Sequence, residues 1–191
     1  MSPAREDATF LVLNGAHLKK MAAAEAIAAA VGVPLVVAQE ELATAVEKGW
    51  AICVDGRYLV LPKGTSAVHE SYGRLYGPLR QDAFVKDWYD RFETLNNQFI
   101  KAVSDWQINE EDEKAKAKIL KVVERLTKGL ADIVPLIHRY ENYVRRFTEG
   151  VGRVDRGERD YICGPTIDSV HTVWFEFHED ILSVLGRPRD L

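Results

Sequence analysis

Cysteine is nearly absent: Cys53 and Cys163 are the only two in 191 residues. Two thiols cannot make a disulfide framework, and their spacing matches no zinc motif, so reduced thiols in a reducing compartment are expected. Long apolar runs are missing too. No stretch reaches the roughly 18 apolar residues of a membrane span, and Met1 to Asp7 lack the basic flank and apolar core of a signal peptide. A cytoplasmic chain with no membrane partner is the expectation. Basic residues are not in excess, since 25 Lys and Arg stand against 29 Asp and Glu for a net charge of −4. That balance weighs against a nucleic-acid binder, whose affinity rests on neutralising phosphates. The chain has no glycine-rich phosphate loop, no His-Glu-x-x-His and no paired Glu-x-x-His, so neither a nucleotide cradle nor a metal site is expected.

What is present is a hydrophobic content of 47%, typical of a globular chain, patterned as a mainly α fold in two parts, residues 1–78 and 79–191. In the first, Phe10, Leu11, Leu13 and Leu18 mark one helix, and Ala22 to Val31 a second that stops at Gly32. Pro34 opens a third, with Leu35, Leu42 and Val46 on its expected buried face and Gly49 at its end. Trp50–Val54 and Tyr58–Leu61 read as strands joined at Asp55 and Gly56, a dipeptide suited to a tight hairpin. This order, closing on Leu61-Pro62-Lys63-Gly64, resembles a winged helix-turn-helix module. In such modules the third helix enters the major groove. Here its exposed candidates are Gln39, Glu40, Glu41, Thr44, Glu47 and Lys48, three carboxylates with one lysine. Only Arg57 and Lys63 near the hairpin, and Lys19 and Lys20 before the second helix, offer positive charge. Carboxylates repel a polyanion, so a protein-docking or substrate-covering role is favoured over DNA binding.

In the second part, Phe84, Trp88, Phe92, Leu95, Phe99, Val103 and Trp106 repeat at three and four positions, which predicts one long amphipathic helix. Asn109 to Lys118 is a charged connector or helix start. Ile119 through Phe147 predicts a second long helix kinked near Pro135. Gly150 to Gly164 reads as a polar connector, and Thr166 to Leu185 as a final helix stopped by Gly186. Three long helices make an antiparallel bundle.

The final helix carries the candidate chemistry. His171 and His178, seven positions apart, share one stripe, with Asp168 a turn earlier and Trp174 and Phe175 between them. Asp168 is placed to orient the His171 ring and raise its basicity, with Glu176 and Glu179 available to His178. An imidazole held by a carboxylate is a competent general base. The alternative is a packed polar bundle core, in which the histidines satisfy internal hydrogen bonds and Trp174, Phe175 and Phe177 fill space. Elsewhere His17, His69 and His138 read as isolated, Asn96 as a structural hydrogen bond within an apolar stripe, and Tyr140 and Tyr143 as packed with hydroxyls at the bundle edge.

The stretch Asp168 to Asp180, with Arg153–Gly157 before it and Leu185-Gly186-Arg187 after it, resembles the C-terminal part of proteins related to phosphoenolpyruvate synthase and pyruvate phosphate dikinase. Phe92, Leu95, Asn96, Phe99 and Asp105-Trp106-Gln107 share that likeness, and such proteins carry a similar winged-helix-like segment just before this region. The resemblance covers most of the chain. It implies dikinase chemistry, in which an ATP-grasp domain phosphorylates a histidine on a mobile domain that then delivers the group to an acceptor. This chain lacks those parts, so the resemblance implies a small, non-autonomous subunit. It would bind no cofactor itself, leaving ATP and Mg on a large partner with ATP-grasp and phosphohistidine domains. Its own task would be to bind a small hydroxyl compound such as a phenol, as in two-component aryl-phosphorylating systems of aromatic catabolism. In that reading Trp174, Phe175, Trp106 and Trp88 wall the acceptor, and His171, oriented by Asp168, is the base. His178, Arg139 or Arg145 steadies the phosphoryl group. The competing reading is a winged-helix transcriptional regulator that binds DNA as a dimer and holds an effector in its helical part.

Overall fold

In the computed structural model, which describes residues 6–109 and 112–188, Asp7 starts the first helix. Its Oδ1 accepts the Phe10 amide at 2.8 Å, satisfying one of the amides that a helix start leaves without a partner. Helix α1 (Ala8–Lys19) ends at Lys20, whose φ of 64° turns the chain into β1 (Met21–Ala23). The alanine-rich run predicts helix from Ala22, but Ala22 and Ala23 pair with Tyr58 and Arg57 of β3 instead. A distant strand thus overrides local helix propensity. Helix α2 (Ala24–Val31) stops at Gly32, left-handed at φ 73° as a residue without Cβ allows.

Helix α3 (Leu35–Glu47) buries Ala38, Leu42 and Ala45, while Leu35 and Val46, expected on that face, are 40% and 39% exposed. At 100° per residue the two lie roughly 50–70° from the centre of the alanine–leucine stripe. The alanines let α3 sit close to its neighbours and push the larger side chains to the flank. Strands β2 (Ala51–Val54) and β3 (Arg57–Val60) turn at Asp55 and Gly56, both at positive φ, as a two-residue hairpin requires. The sheet order is β1-β3-β2, antiparallel throughout.

Helix α4 (Pro62–Tyr76) begins at the Pro62-Lys63-Gly64 that closes the winged-helix-like order, in a stretch to which the sequence pattern assigns no element. Proline is tolerated at the first helical position. Gly64 is required by packing, because a Cβ there would collide with the Trp50 carbonyl oxygen and lie 2.8 Å from Val60 Cγ1. Val12, Ala16, Ala24, Ile27, Ala28, Ala38 and Leu42 form one cluster of this unit's core, which also buries Phe10, Tyr72 and Tyr76. Within it the Tyr72 hydroxyl lies 2.9 Å from Asn14 Oδ1 and 3.0 Å from Asp180 Oδ1. The chain accordingly divides into one unit of Met1–Arg80 with His178–Leu191, and another of Gln81–Phe177.

In the second unit Asp82 and Asp112 each cap a helix by accepting two backbone amides, starting α5 (Ala83–Ile108) and α6 (Glu113–Ile133). The apolar stripe of α5 is buried except at Phe84, which is exposed, and Leu95, which is half-buried. The single kinked helix expected across Pro135 is broken. After α6 comes a 3₁₀ turn at His138–Tyr140, and then α7 (Glu141–Asp155). Pro135 has no amide to continue the ladder. Helix α7 and the short α8 (Asp160–Cys163) fill most of the expected connector. Helix α9 (Val170–Leu185) starts later than Thr166, because Ser169 Oγ accepts the Thr172 amide at 3.2 Å and acts as its cap. No single helix among the described residues is long and apolar enough to cross a membrane.

Candidate functional site

Aromatic packing dominates the second unit. Phe99 and Trp174 lie face to face with centroids 4.0 Å apart, and the His171 ring stacks on Phe99 at 6.3 Å. The Trp174 indole N–H donates to Asn96 Oδ1 at 2.9 Å, and that of Trp88 to the Gly129 carbonyl at 2.8 Å. Trp88, Trp106 and Trp174 are each 3% exposed, and Phe175 is half-buried. Tyr140 and Tyr143, expected to reach the bundle edge, are buried with their rings edge-on to Phe177 at 5.3 and 5.1 Å. Most of the expected acceptor wall therefore serves as core, where each aromatic side chain contributes large apolar burial.

Asp168 does not sit on α9 one turn before His171. It lies in the turn ahead of the helix, and its Oδ2 accepts from Arg146 Nε at 2.8 Å. Burial lowers the His171 pKa, the opposite of the rise expected from a carboxylate partner. Glu176, considered for His178, has its Oε2 2.8 Å from Arg146 Nη2, an ion-pair distance without hydrogen-bond alignment. Burial pulls the Arg146 guanidinium pKa down, but the charge of Glu176 and the bond and charge of Asp168 outweigh it, so the net direction is up. Arg139 is buried with its guanidinium 5.0 Å from the Tyr140 ring centroid, and Arg145 is exposed on α7. His178 is half-buried and belongs to the first unit, whereas His171 belongs to the second. Sequence reasoning passed over Arg146. Its position three after Tyr143 and four before Gly150 puts it on the buried stripe of α7, and that spacing was the available signal.

The first unit holds a second ionisable cluster. His17 and His69, expected to be isolated, meet edge to face at 5.9 Å, and His17 Nδ1 lies 3.5 Å from Thr65 Oγ1. Burial pushes the His17 pKa down to about 4, aided by Lys20 and His69 and opposed by Glu179. Glu179, the other carboxylate considered for His178, meets Lys20 at 3.4 Å.

Between α5 and α6 runs an open groove. One part, about 290 Å³, has Trp88, Phe92, Leu95 and Leu126 along its apolar lining, with Arg91, Arg125 and Asp132 among its charged residues. A second part, about 360 Å³, shares Arg125 and is lined by Lys101, Lys118, Lys121 and Asp105. Gly129 also lines the first part. A glycine inside a helix costs about 0.5–1 kcal/mol relative to alanine, yet a Cβ at 129 would meet nothing nearer than Trp88 Nε1 at 4.0 Å. Packing does not demand this glycine; its effect is to leave the groove open. Among the described residues no group of three or more His, Cys, Asp or Glu side chains is arranged to hold a metal ion. Among the described residues Cys53 and Cys163 form no disulfide. Searches against protein-family models, curated proteins and solved structures find no match to this chain.

Proposed function

We propose that the chain is a partner-dependent subunit of a dikinase-type phosphotransferase. In this reading the first unit is a winged helix-turn-helix module used to dock protein, and α5, then α6 with α7, then α9 are the three helical legs of an antiparallel bundle that presents a small hydroxyl or phenolic acceptor. ATP and Mg belong to the large partner with its phosphohistidine. The order helix, strand, two helices, hairpin, with the first strand paired to the last, supports the module assignment.

The observation that carries the choice between protein and DNA is the outward face of α3. It exposes Leu35, Val36 and Val46 together with Glu40 and Glu47, an apolar and acidic surface that repels phosphate and offers no guanidinium to a base edge. Met21, Leu59 and Ile52, which face one another across the three strands, add a second exposed apolar row. Half-buried His171 is held towards the neutral state that a general base must occupy before reaction, while Asp168 serves Arg146. The test is reconstitution of the chain with an ATP-grasp, phosphohistidine-bearing protein, ATP, Mg and phenol, read by ³¹P NMR. Phosphoryl transfer that requires this chain, and falls at least about tenfold with His171→Ala, is expected. Undiminished transfer by His171→Ala removes the base assignment. Salt-sensitive nanomolar binding to DNA from the chain's own upstream region overturns the reading in favour of a regulator.

A further inference from the structure

We infer that the α5–α6 groove is a binding site for a small organic anion, with an apolar body seated along Leu95, Leu126 and the edge of Trp88, and a phosphate or carboxylate held by Arg91 and Arg125. The site lies wholly on two helices of one unit and does not depend on a partner subunit.

Charge carries the argument first. Arg146, Arg153, Arg156 and Arg159 each face a carboxylate within 4 Å. Among the described residues Arg91 has no hydrogen-bond or ion-pair partner, and Arg125 is held only by neutral Gln98, whose Oε1 accepts from Nη1 at 2.9 Å. These two guanidiniums stand on opposite helices across one cavity, and Asp132 alone opposes them there. Along the same groove Lys101, Lys118 and Lys121 continue the positive track, with only Asp105 against them, paired to Lys118 at 3.7 Å. In a chain of net charge −4, cations gathered on one groove create a local field for an anion. A guanidinium with unused donors is suited to a carboxylate or phosphate.

Shape carries it second. The cavity is at the small end of ligand-site volumes, which begin near about 300 Å³. Gly129 keeps its floor open where alanine would fit without collision. The Gln98 bond holds the Arg125 side chain in place, so less of its freedom is lost when it binds.

The test uses the full chain and four probes in calorimetric titration: 2-naphthyl phosphate, 2-naphthoate, 2-naphthol and inorganic phosphate. At least one naphthyl anion is expected to bind, at least about tenfold more tightly than naphthol or inorganic phosphate, because both the body and the charge are recognised. The tighter of the two anions identifies the head group as phosphate or carboxylate. Arg91→Gln with Arg125→Gln, both exposed and so compatible with folding, should weaken that binding by about tenfold or more. Gly129→Leu should weaken it by filling the floor, with Gly129→Ala as the milder variant should leucine impair folding. Absence of binding by both naphthyl anions overturns the inference, as does binding that neither the arginine pair nor the glycine variants change. Poly-glutamate binding that Arg91→Gln/Arg125→Gln abolishes, with no naphthyl anion bound, would overturn it in favour of an acidic protein segment.

Discussion

Replacing Arg146 with methionine tests whether the second unit depends on its internal charges. The Arg146 side chain is 4% exposed, as is that of Glu176, while Asp168 is 40% exposed. Methionine keeps an unbranched stem of similar reach, so the cavity left behind is small. Asp168 can turn to water, and its share of the loss is within about 1 kcal/mol. Glu176 cannot, and removing one member of a buried pair costs about 3–5 kcal/mol. At about 2–4 °C per kcal/mol for a chain of this size, the melting temperature should fall by about 6–20 °C. The melt can be followed by tryptophan fluorescence, since Trp88, Trp106 and Trp174 all lie in this unit and only Trp50 in the other. Adding Glu176→Gln should recover at least about half of the loss, because a neutral amide no longer needs the guanidinium. A loss below about 1 kcal/mol in Arg146→Met, or no recovery in the double variant, would refute the electrostatic account.

Two further perturbations probe the first unit. His17 has a folded pKa of about 4 against an ordinary 6.5. Its contribution is therefore fully present above pH 6.5 and is lost as pH falls towards 4, and His17→Phe should flatten the decline of denaturant stability across that window; an unchanged slope would exclude His17 as the source. Gly64→Ala places a methyl against the Trp50 carbonyl oxygen, so its denaturation midpoint should fall by the equivalent of about 1–3 kcal/mol, and an unmoved midpoint would show that α4 can shift to accommodate it.

Periodicity and turn chemistry made much of the helical fold legible. The repeat from Trp88 to Trp106 is visible in sequence because each buried residue of α5 contacts the core at the helical period, and Asp55-Gly56 marks its hairpin because both positions need positive φ. Strand β1 was not legible. Three residues of high helix propensity are held extended by pairing with Leu59, Tyr58 and Arg57, far along the chain, and nothing local records that partner. Helix α4 was hidden by Pro62 and Gly64, which act as loop signals unless the neighbouring Trp50 carbonyl is known. At the candidate site, helical spacing brought Asp168 and His171 together on paper, but the Ser169 cap starts α9 after Asp168 and frees that carboxylate for Arg146. The groove escaped notice for a different reason: Arg91, Arg125 and Gly129 lie on separate helices, and their meeting depends on how α5 packs against α6.

The buried pair between Tyr72 and Asp180 bears on the order in which the newborn chain can settle. Its members are separated by 108 positions, and at about 5–20 residues per second of synthesis the carboxylate leaves the ribosome roughly 5–20 s after the phenol. All of Gln81–Phe177 emerges within that interval. The first unit must therefore wait, with Asn14 and Tyr72 in place but their third member still unmade, while the whole of the second is delivered. A nascent chain paused before residue 178 holds that first unit unfinished.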